Sequence, residues 1–370
     1  MLDCGLHPSY QDDRRYPNFG LAFSYGPLKA VFITHCHADH VGALPILTER
    51  WGYDGPIYMS EPTRKLSYYI LEECVGSWGG DDEWTDSSRS EWSYTQREVE
   101  SCLTKVTIME PGQSISVGEN VQVHSWMAGH VLGAYMFSIV VDNHRILYTG
   151  DFTSCPTFHL PPARVDDIPY PPDVILSEAT YATSFKDGRL NNQVEFIQNV
   201  LDCLLDGGKV LVPVFAIGRA QELLLLLEMY WQRFHLSFPI LFSTKNAHQV
   251  LQIYTEFAHW TRTPSTRDEQ MMSYQTWWSR VQVVDPEQLL DAVEEWDRPL
   301  VALTTPGTLA RGLSLQVFRR IAPDEKNLLI IPHFCISGTI EKRLLEEGCC
   351  DENKITNENE SIRIRCKVSY

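Results

Sequence analysis

The chain has 370 residues, 44% of them hydrophobic, more than one compact core usually holds, so two domains are expected. Its formal charge is −17, from 48 acids against 31 bases, which argues against a free-standing nucleic-acid binder with a basic face. No apolar run approaches the roughly 18–20 residues of a membrane span. The start Met1-Leu2-Asp3-Cys4 is read as lacking a secretory signal, and scattered cysteines without CxxC spacing read as reduced thiols of a cytosolic or nuclear protein.

In chain order, Leu28 to Thr34 reads as a buried strand and Val41 to Trp51 as a helix packed behind it. Tyr53-Asp54-Gly55-Pro56 is a turn, Ile57 to Met59 a short strand, and Glu61 to Cys74 a helix by its period. Ser77 to Ser90 is polar and reads as a loop, the start of an acidic, solvated segment that continues to Glu98 and Glu100. Lys105 to Met109, Ser114 to Val117, Val121 to Trp126, Tyr135 to Val141 and Arg145 to Tyr148 read as strands. Short strands framed by helices predict an αββα sandwich. Thr157 to Pro172 is a proline-rich loop, and Asp173 to Leu176 a strand.

From about Ala182 the rhythm changes. Helices are predicted over Asn191 to Leu205, Ala220 to Phe234, Asn246 to Ala258 and Pro286 to Glu295. Strands are predicted over Lys209 to Val214, Pro239 to Phe242, Val281 to Val284, Leu300 to Thr304 and Asn327 to Ile331. This alternation predicts a parallel α/β domain.

The run Thr34-His35-Cys36-His37-Ala38-Asp39-His40 places His35, His37, Asp39 and His40 within six positions, directly after a predicted strand. Imidazole and carboxylate are the ligands zinc takes. A cluster this dense has room for two ions, and a pair roughly 3.5–4 Å apart clamps the attacking and leaving oxygens of a phosphate ester. The bland alternative is a histidine-rich surface turn. Three further residues sit at strand ends, where sites gather in α/β layers. His130 lies among small residues in Ala128-Gly129-His130-Val131-Leu132-Gly133-Ala134, Asp151 follows Tyr148-Thr149-Gly150, and Glu178 lies in Ser177-Glu178-Ala179. Taken singly, these could be a core histidine, a turn former and a helix cap. Gly218-Arg219 could offer helix N-terminal N–H groups to a phosphate or serve only close packing.

With these motifs together, the chain resembles the metallo-β-lactamase/β-CASP family of RNA nucleases. Within it, the likeness is to the Integrator-type endonucleases first and the cleavage-and-polyadenylation type second. The carrying residues are Met1 to Gly5 with Asp12 to Arg15, His35 to His40 with Gly42 to Pro45, Tyr53 to Met59, Ala128 to Ala134 and Tyr148 to Asp151. In the second half they are Gly207 to Ala216, Gly218 to Glu222, Thr305-Pro306-Gly307 and Ser314 to Arg319.

The resemblance implies that His35, His37 and His130 hold one zinc, that Asp39 and His40 hold a second, and that Asp151 bridges them. It implies Glu178 as the acid of the first β-CASP motif, Asp39 as a further catalytic residue, and Asp3 as a structural acid beneath the metal loop. It implies a metallo-β-lactamase-like domain over 1–181, a β-CASP domain over 182–339, and a return to the first domain over 340–370, with the substrate in the cleft between the two domains. The implied function is a zinc-dependent RNA endonuclease of nuclear RNA 3′-end processing, acting on snRNA and other nascent transcripts. Its partners would be the RNA substrate and other subunits of a nuclear complex, including a β-CASP paralogue, with no membrane and with the cytoplasm as a second compartment.

Two departures stand against the family pattern. Four and five residues after Gly338 the family places a general-acid histidine, whereas this chain has Lys342 and Arg343, and losing such a group costs ~10²–10⁴ in rate. His333 is a weaker substitute. The chain also stops at Lys367-Val368-Ser369-Tyr370, where the family strand continues to a histidine of the second zinc, and its start falls within a strand. It therefore reads as a fragment with an incomplete second zinc site. The alternative functions are a catalytically impaired β-CASP scaffold subunit paired with an active paralogue and, less fitting, a small-molecule thioester or lactam hydrolase.

Overall fold

A computed structural model describes residues 1–7, 10, 12–77, 93–180, 182, 189–261, 277–333, 335, 339–347, 354–357 and 360–370. The loop expected from Ser77 to Ser90 lies outside these residues, save for Ser77 itself, which ends a helix. The chain divides into two compact units, residues 1–180 with 256–262 and residues 181–255 with 263–370.

The first unit stacks helices on two sheets. Strands β1 (Val31–Phe32), β2 (Ile57–Met59) and β3 (Val106–Ile108) form a parallel sheet in that order. A second sheet runs β4 (Ser114–Val117), β5 (Val121–Met127), β6 (Tyr135–Val141), β7 (His144–Tyr148) and β8 (Val174–Leu176), antiparallel except for β7 and β8. Alternation sets the two faces of β1. Val31 and Ile33 turn towards a core shared with Val41, Leu44, Leu71, Val99 and Cys102. Ala30 and Phe32 turn the other way, onto Val123, Tyr135 and Phe137 of the second sheet.

Helix Glu61–Ser77 matches its expected start. Helix Gln96–Thr104, not assigned from sequence, opens on a capping box in which Thr95 and Glu98 satisfy each other's backbone N–H groups. It buries Val99, Cys102 and Leu103 at helical spacing. The helix expected from Val41 to Trp51 is interrupted. A short helix Ala38–Val41 gives way to a π-helical turn Ile46–Arg50, because Ala43 N–H turns away to the Cys4 carbonyl and Pro45 has no N–H with which to resume the α-helical ladder.

The second unit is a six-stranded sheet in the order β11-β10-β12-β9-β13-β16, parallel throughout. Its strands are β9 (Val210–Pro213), β10 (Ile240–Ser243), β11 (Val281–Val283), β12 (Val301–Thr304), β13 (Leu328–Ile330) and β16 (Lys367–Ser369). Every residue of β9, β10, β12 and β13 is buried, the pattern of a parallel sheet covered on both faces. Helices Arg189–Leu205, Arg219–Arg233, Ala247–Glu256 and Pro286–Glu295 fall where the alternation predicts them. Helix Gly312–Ile321 was not assigned from sequence. Strands β14 (Lys354–Asn357) and β15 (Glu360–Arg363) pair antiparallel.

One expectation is corrected. Residues 340–370 were expected to return to the first domain, but β16 pairs with β13 in register Leu328↔Lys367, Leu329↔Val368 and Ile330↔Ser369. The physical reason is burial. Ile362, Ile364 and Cys366 complete the core of the second unit beside Leu329, Ile331 and Leu344.

Candidate metal centre

Close backbone packing shapes the histidine loop. Leaving β1, the chain passes Thr34 and His35 and turns into helix Ala38–Val41, with His37 at its N-cap position. The segment after Met1 runs alongside it. Cys4 N–H donates to the His40 carbonyl at 2.8 Å, Leu6 N–H to the Ala38 carbonyl at 2.9 Å, and Ala43 N–H to the Cys4 carbonyl at 2.9 Å. Tyr135 N–H, at the start of β6, donates to the Thr34 carbonyl at 2.9 Å. Thr153 N–H donates to the Ala128 carbonyl at 2.9 Å, tying the loop after Asp151 to the loop that carries His130. Gly150, at φ +50°, lets the Asp151 turn rest on Thr34, since a Cβ there would fall 2.7 Å from Thr34 Cγ2.

These loops bring together residues more than a hundred positions apart. His35, His37, His130 and Asp151 each offer a ligand atom within 4.8 Å of the others. His35 Nε2 lies 3.0 Å from His37 Nδ1, and His130 Nε2 lies 3.3 Å from the same atom. Asp151 Oδ2 is 3.5 Å from His130 Nε2 and 3.9 Å from His35 Nε2. On its other side, Asp151 Oδ1 is 3.5 Å from His40 Nε2, which in turn is 3.6 Å from Asp39 Oδ2. All six expected ligand positions therefore lie in one cluster, with Asp151 between two groups of them.

Beneath them sits Asp3, at φ +57°. Its carboxylate accepts from Thr34 N–H at 2.7 Å, the Thr34 hydroxyl at 2.9 and 3.0 Å, Tyr148 at 2.7 Å and His40 Nδ1 at 2.7 Å. The resemblance expects Asp3 as a structural acid beneath the metal loop, and here its carboxylate accepts from that loop and from Tyr148. The partners Thr34 and Tyr148 were not singled out from sequence. The available signal was their placement, Thr34 directly before the first histidine and Tyr148 three residues before Asp151.

Burial and the neighbouring imidazoles hold His35 well below the usual histidine range. Burial opposes charge on His40 too, but hydrogen bonds to the Asp151 and Asp3 carboxylates outweigh it and draw that imidazole up to about 10. Asp151 is lowered: burial opposes this, and the His40 hydrogen bond and the surrounding imidazoles prevail. Crowded imidazoles facing a carboxylate are the donor set of a divalent cation, and the residues present fit one.

Glu178 stands beside this cluster within the same unit. Its Oε1 accepts from Phe152 N–H, the residue after Asp151, at 3.4 Å, and its Oε2 from Thr180 N–H at 3.3 Å. In the second unit, Lys342 lies on helix Ile340–Glu347 with its ammonium 3.3 Å from Glu346. His333 stands edge-on to Phe215, ring centroids 5.2 Å apart, with Nδ1 buried and without a hydrogen-bond partner.

Comparison with known proteins follows the same division. The Metallo-beta-lactamase superfamily matches residues 1–181 and the Beta-Casp domain matches residues 220–344. The chain is 36% identical over its full length to "Integrator complex subunit 11" of Gallus gallus and 37% identical to that of Danio rerio, covering 60% of each. It is 36% identical over its full length to "Cleavage and polyadenylation specificity factor subunit 3-II" of Arabidopsis thaliana, covering 58% of it. The chain thus spans less than two thirds of the length of these relatives. Family matches over both units, on a fold that gathers the expected ligand residues, lead to one statement: the chain belongs to the metallo-β-lactamase/β-CASP family.

Proposed function

We propose that this chain carries the catalytic core of a zinc-dependent RNA endonuclease, hydrolysing phosphodiester bonds in nuclear RNA 3′-end processing. The convergence of His35, His37, His130 and Asp151 within 4.8 Å is the observation that carries the reading. The likeness to Integrator and cleavage-and-polyadenylation subunits supports an RNA substrate, such as snRNA or other nascent transcripts. It also supports partner subunits, including a β-CASP paralogue, and a nuclear location.

In this reading His35, His37 and His130 hold one cation, Asp39 and His40 a second, and Asp151 stands between. A divalent cation there supplies Lewis-acid charge that acidifies water and stabilises phosphoryl oxygens. The protein's own groups orient and desolvate. His35 is fully buried, which fixes its ring and excludes water behind it. Glu178 holds the Phe152 N–H and so steadies the turn that presents Asp151. In the same reading Glu178 is the acid that positions proton transfer to the departing sugar oxygen. Asp39, about half exposed, is the ligand most open to substrate and water.

A second reading, an impaired scaffold subunit, draws support from Lys342. The ammonium pairs with Glu346 at the position where the family carries a general acid. The experiment that separates them is cleavage of a labelled RNA by the purified full chain, alone and with its paralogue. Zinc-dependent cleavage lost on His130→Ala supports the nuclease. Zinc binding without cleavage in either setting rejects it in favour of the scaffold.

A further inference from the structure

We propose that Thr34 and Tyr148 are positioning residues of the metal centre. Through Asp3 they fix His35 and His40 with hydrogen on Nδ1, so that both rings present Nε2 to a cation. This inference rests on the metal reading above and adds to it which groups set the histidine ligand atoms.

Counting the available hydrogens assigns each bond. A carboxylate only accepts, so every group bonded to Asp3 must donate. His40 Nδ1, 2.7 Å from Asp3 Oδ2, therefore carries hydrogen. The Thr34 hydroxyl has one hydrogen, and its contacts with Asp3 at 2.9 and 3.0 Å claim it. That oxygen also lies 3.0 Å from His35 Nδ1, where it can now only accept. His35 thus carries its hydrogen on Nδ1 as well. The longer approach of the Thr34 hydroxyl to His40 Nδ1, at 3.3 Å, does not compete with the Asp3 bond.

The consequence falls on the opposite side of each ring. His35 Nε2 faces His37 and Asp151, and His40 Nε2 faces Asp39 and Asp151. Those are the nitrogens that the two rings turn towards the expected cation position. Tyr148 completes the relay from the other sheet. Its phenol donates to the same Asp3 oxygen as His40, and its strand ends just before Asp151. One carboxylate thereby couples the histidine loop to the strand that presents Asp151.

The test uses the full chain, 15N-labelled, titrated with zinc. Long-range 1H–15N spectra should show His35 and His40 coordinated through Nε2 with hydrogen on Nδ1. Chelator competition should show Thr34→Val binding zinc roughly 10–100-fold more weakly, the range for loss of an outer-shell partner. Thr34→Ser, which keeps the hydroxyl, should restore both the spectrum and the affinity. Tyr148→Phe should weaken zinc binding while leaving hydrogen on His35 Nδ1. Coordination through Nδ1 at His35 or His40, or Thr34→Val matching the wild type, overturns the relay alone. So does Thr34→Ser losing as much as Thr34→Val. A wild-type chain that takes up no zinc overturns the metal reading itself.

Discussion

Gly5 stands so close to Asp39 that a Cβ on Gly5 would fall 1.6 Å from the Asp39 carbonyl oxygen and 2.5 Å from the His40 backbone nitrogen. The approach is set by the hydrogen bonds that Cys4 and Leu6 make to His40 and Ala38. A methyl group here must push the histidine loop off the amino-terminal segment. Gly5→Ala is expected to cost about 1–3 kcal/mol of stability, as overpacking does, and to lower zinc uptake. Denaturant unfolding and metal analysis check this; a variant with wild-type stability and metal content would show that the loop is not held this way.

Removing His130 takes away the ligand that comes from a separate loop. His130→Ala should lower bound zinc and abolish RNA cleavage while the far-ultraviolet spectrum stays native. Elemental analysis of the dialysed protein measures the first. Full zinc content in this variant would mean that His130 is not a ligand.

Glu178 touches the Asp151 turn through Phe152 N–H and leaves the cluster's own hydrogen bonds intact. Glu178→Gln keeps the shape and removes the charge. Zinc content should persist while cleavage falls by ~10²–10⁴, the range for loss of a group assisting proton transfer. Unchanged single-turnover cleavage would remove Glu178 from the mechanism.

Burial pushes His333 below the usual histidine range, with Glu341 opposing and Arg219 adding to the shift. Its folded form therefore binds a proton less readily than its unfolded form. Between the depressed folded value and about 6.5, the unfolded state holds more protons, so stability falls as pH drops through that window. His333→Gln should flatten part of this loss, measured as the unfolding midpoint between pH 7.5 and 5.5. An unchanged slope would sink the assignment.

Local signals served well where they were self-sufficient. Ile57–Met59, Ser114–Val117, Tyr135–Val141 and Pro286–Glu295 keep their expected bounds, because alternation or a capped amphipathic turn depends only on neighbours in the chain. Helix Gln96–Thr104 carried the Thr-x-x-Glu signal in Thr95 and Glu98, but the surrounding acids hid it. The end of the chain misled for another reason. Whether Ile364 and Cys366 belong to the first core or the second depends on which surface they cover, and that surface is built by β13 and helix Ile340–Glu347.

Which ligand types exist, and that four of them crowd one loop, is legible in the residues alone, since imidazole and carboxylate chemistry travels with residue identity. It takes the fold to bring His130 and Asp151 to that loop, and to let Asp3 gather Thr34, His40 and Tyr148 from 31, 37 and 145 positions away. The nitrogen an imidazole offers is set by the partner on its far side, and here that partner arrives through packing of distant strands rather than through adjacency in the chain.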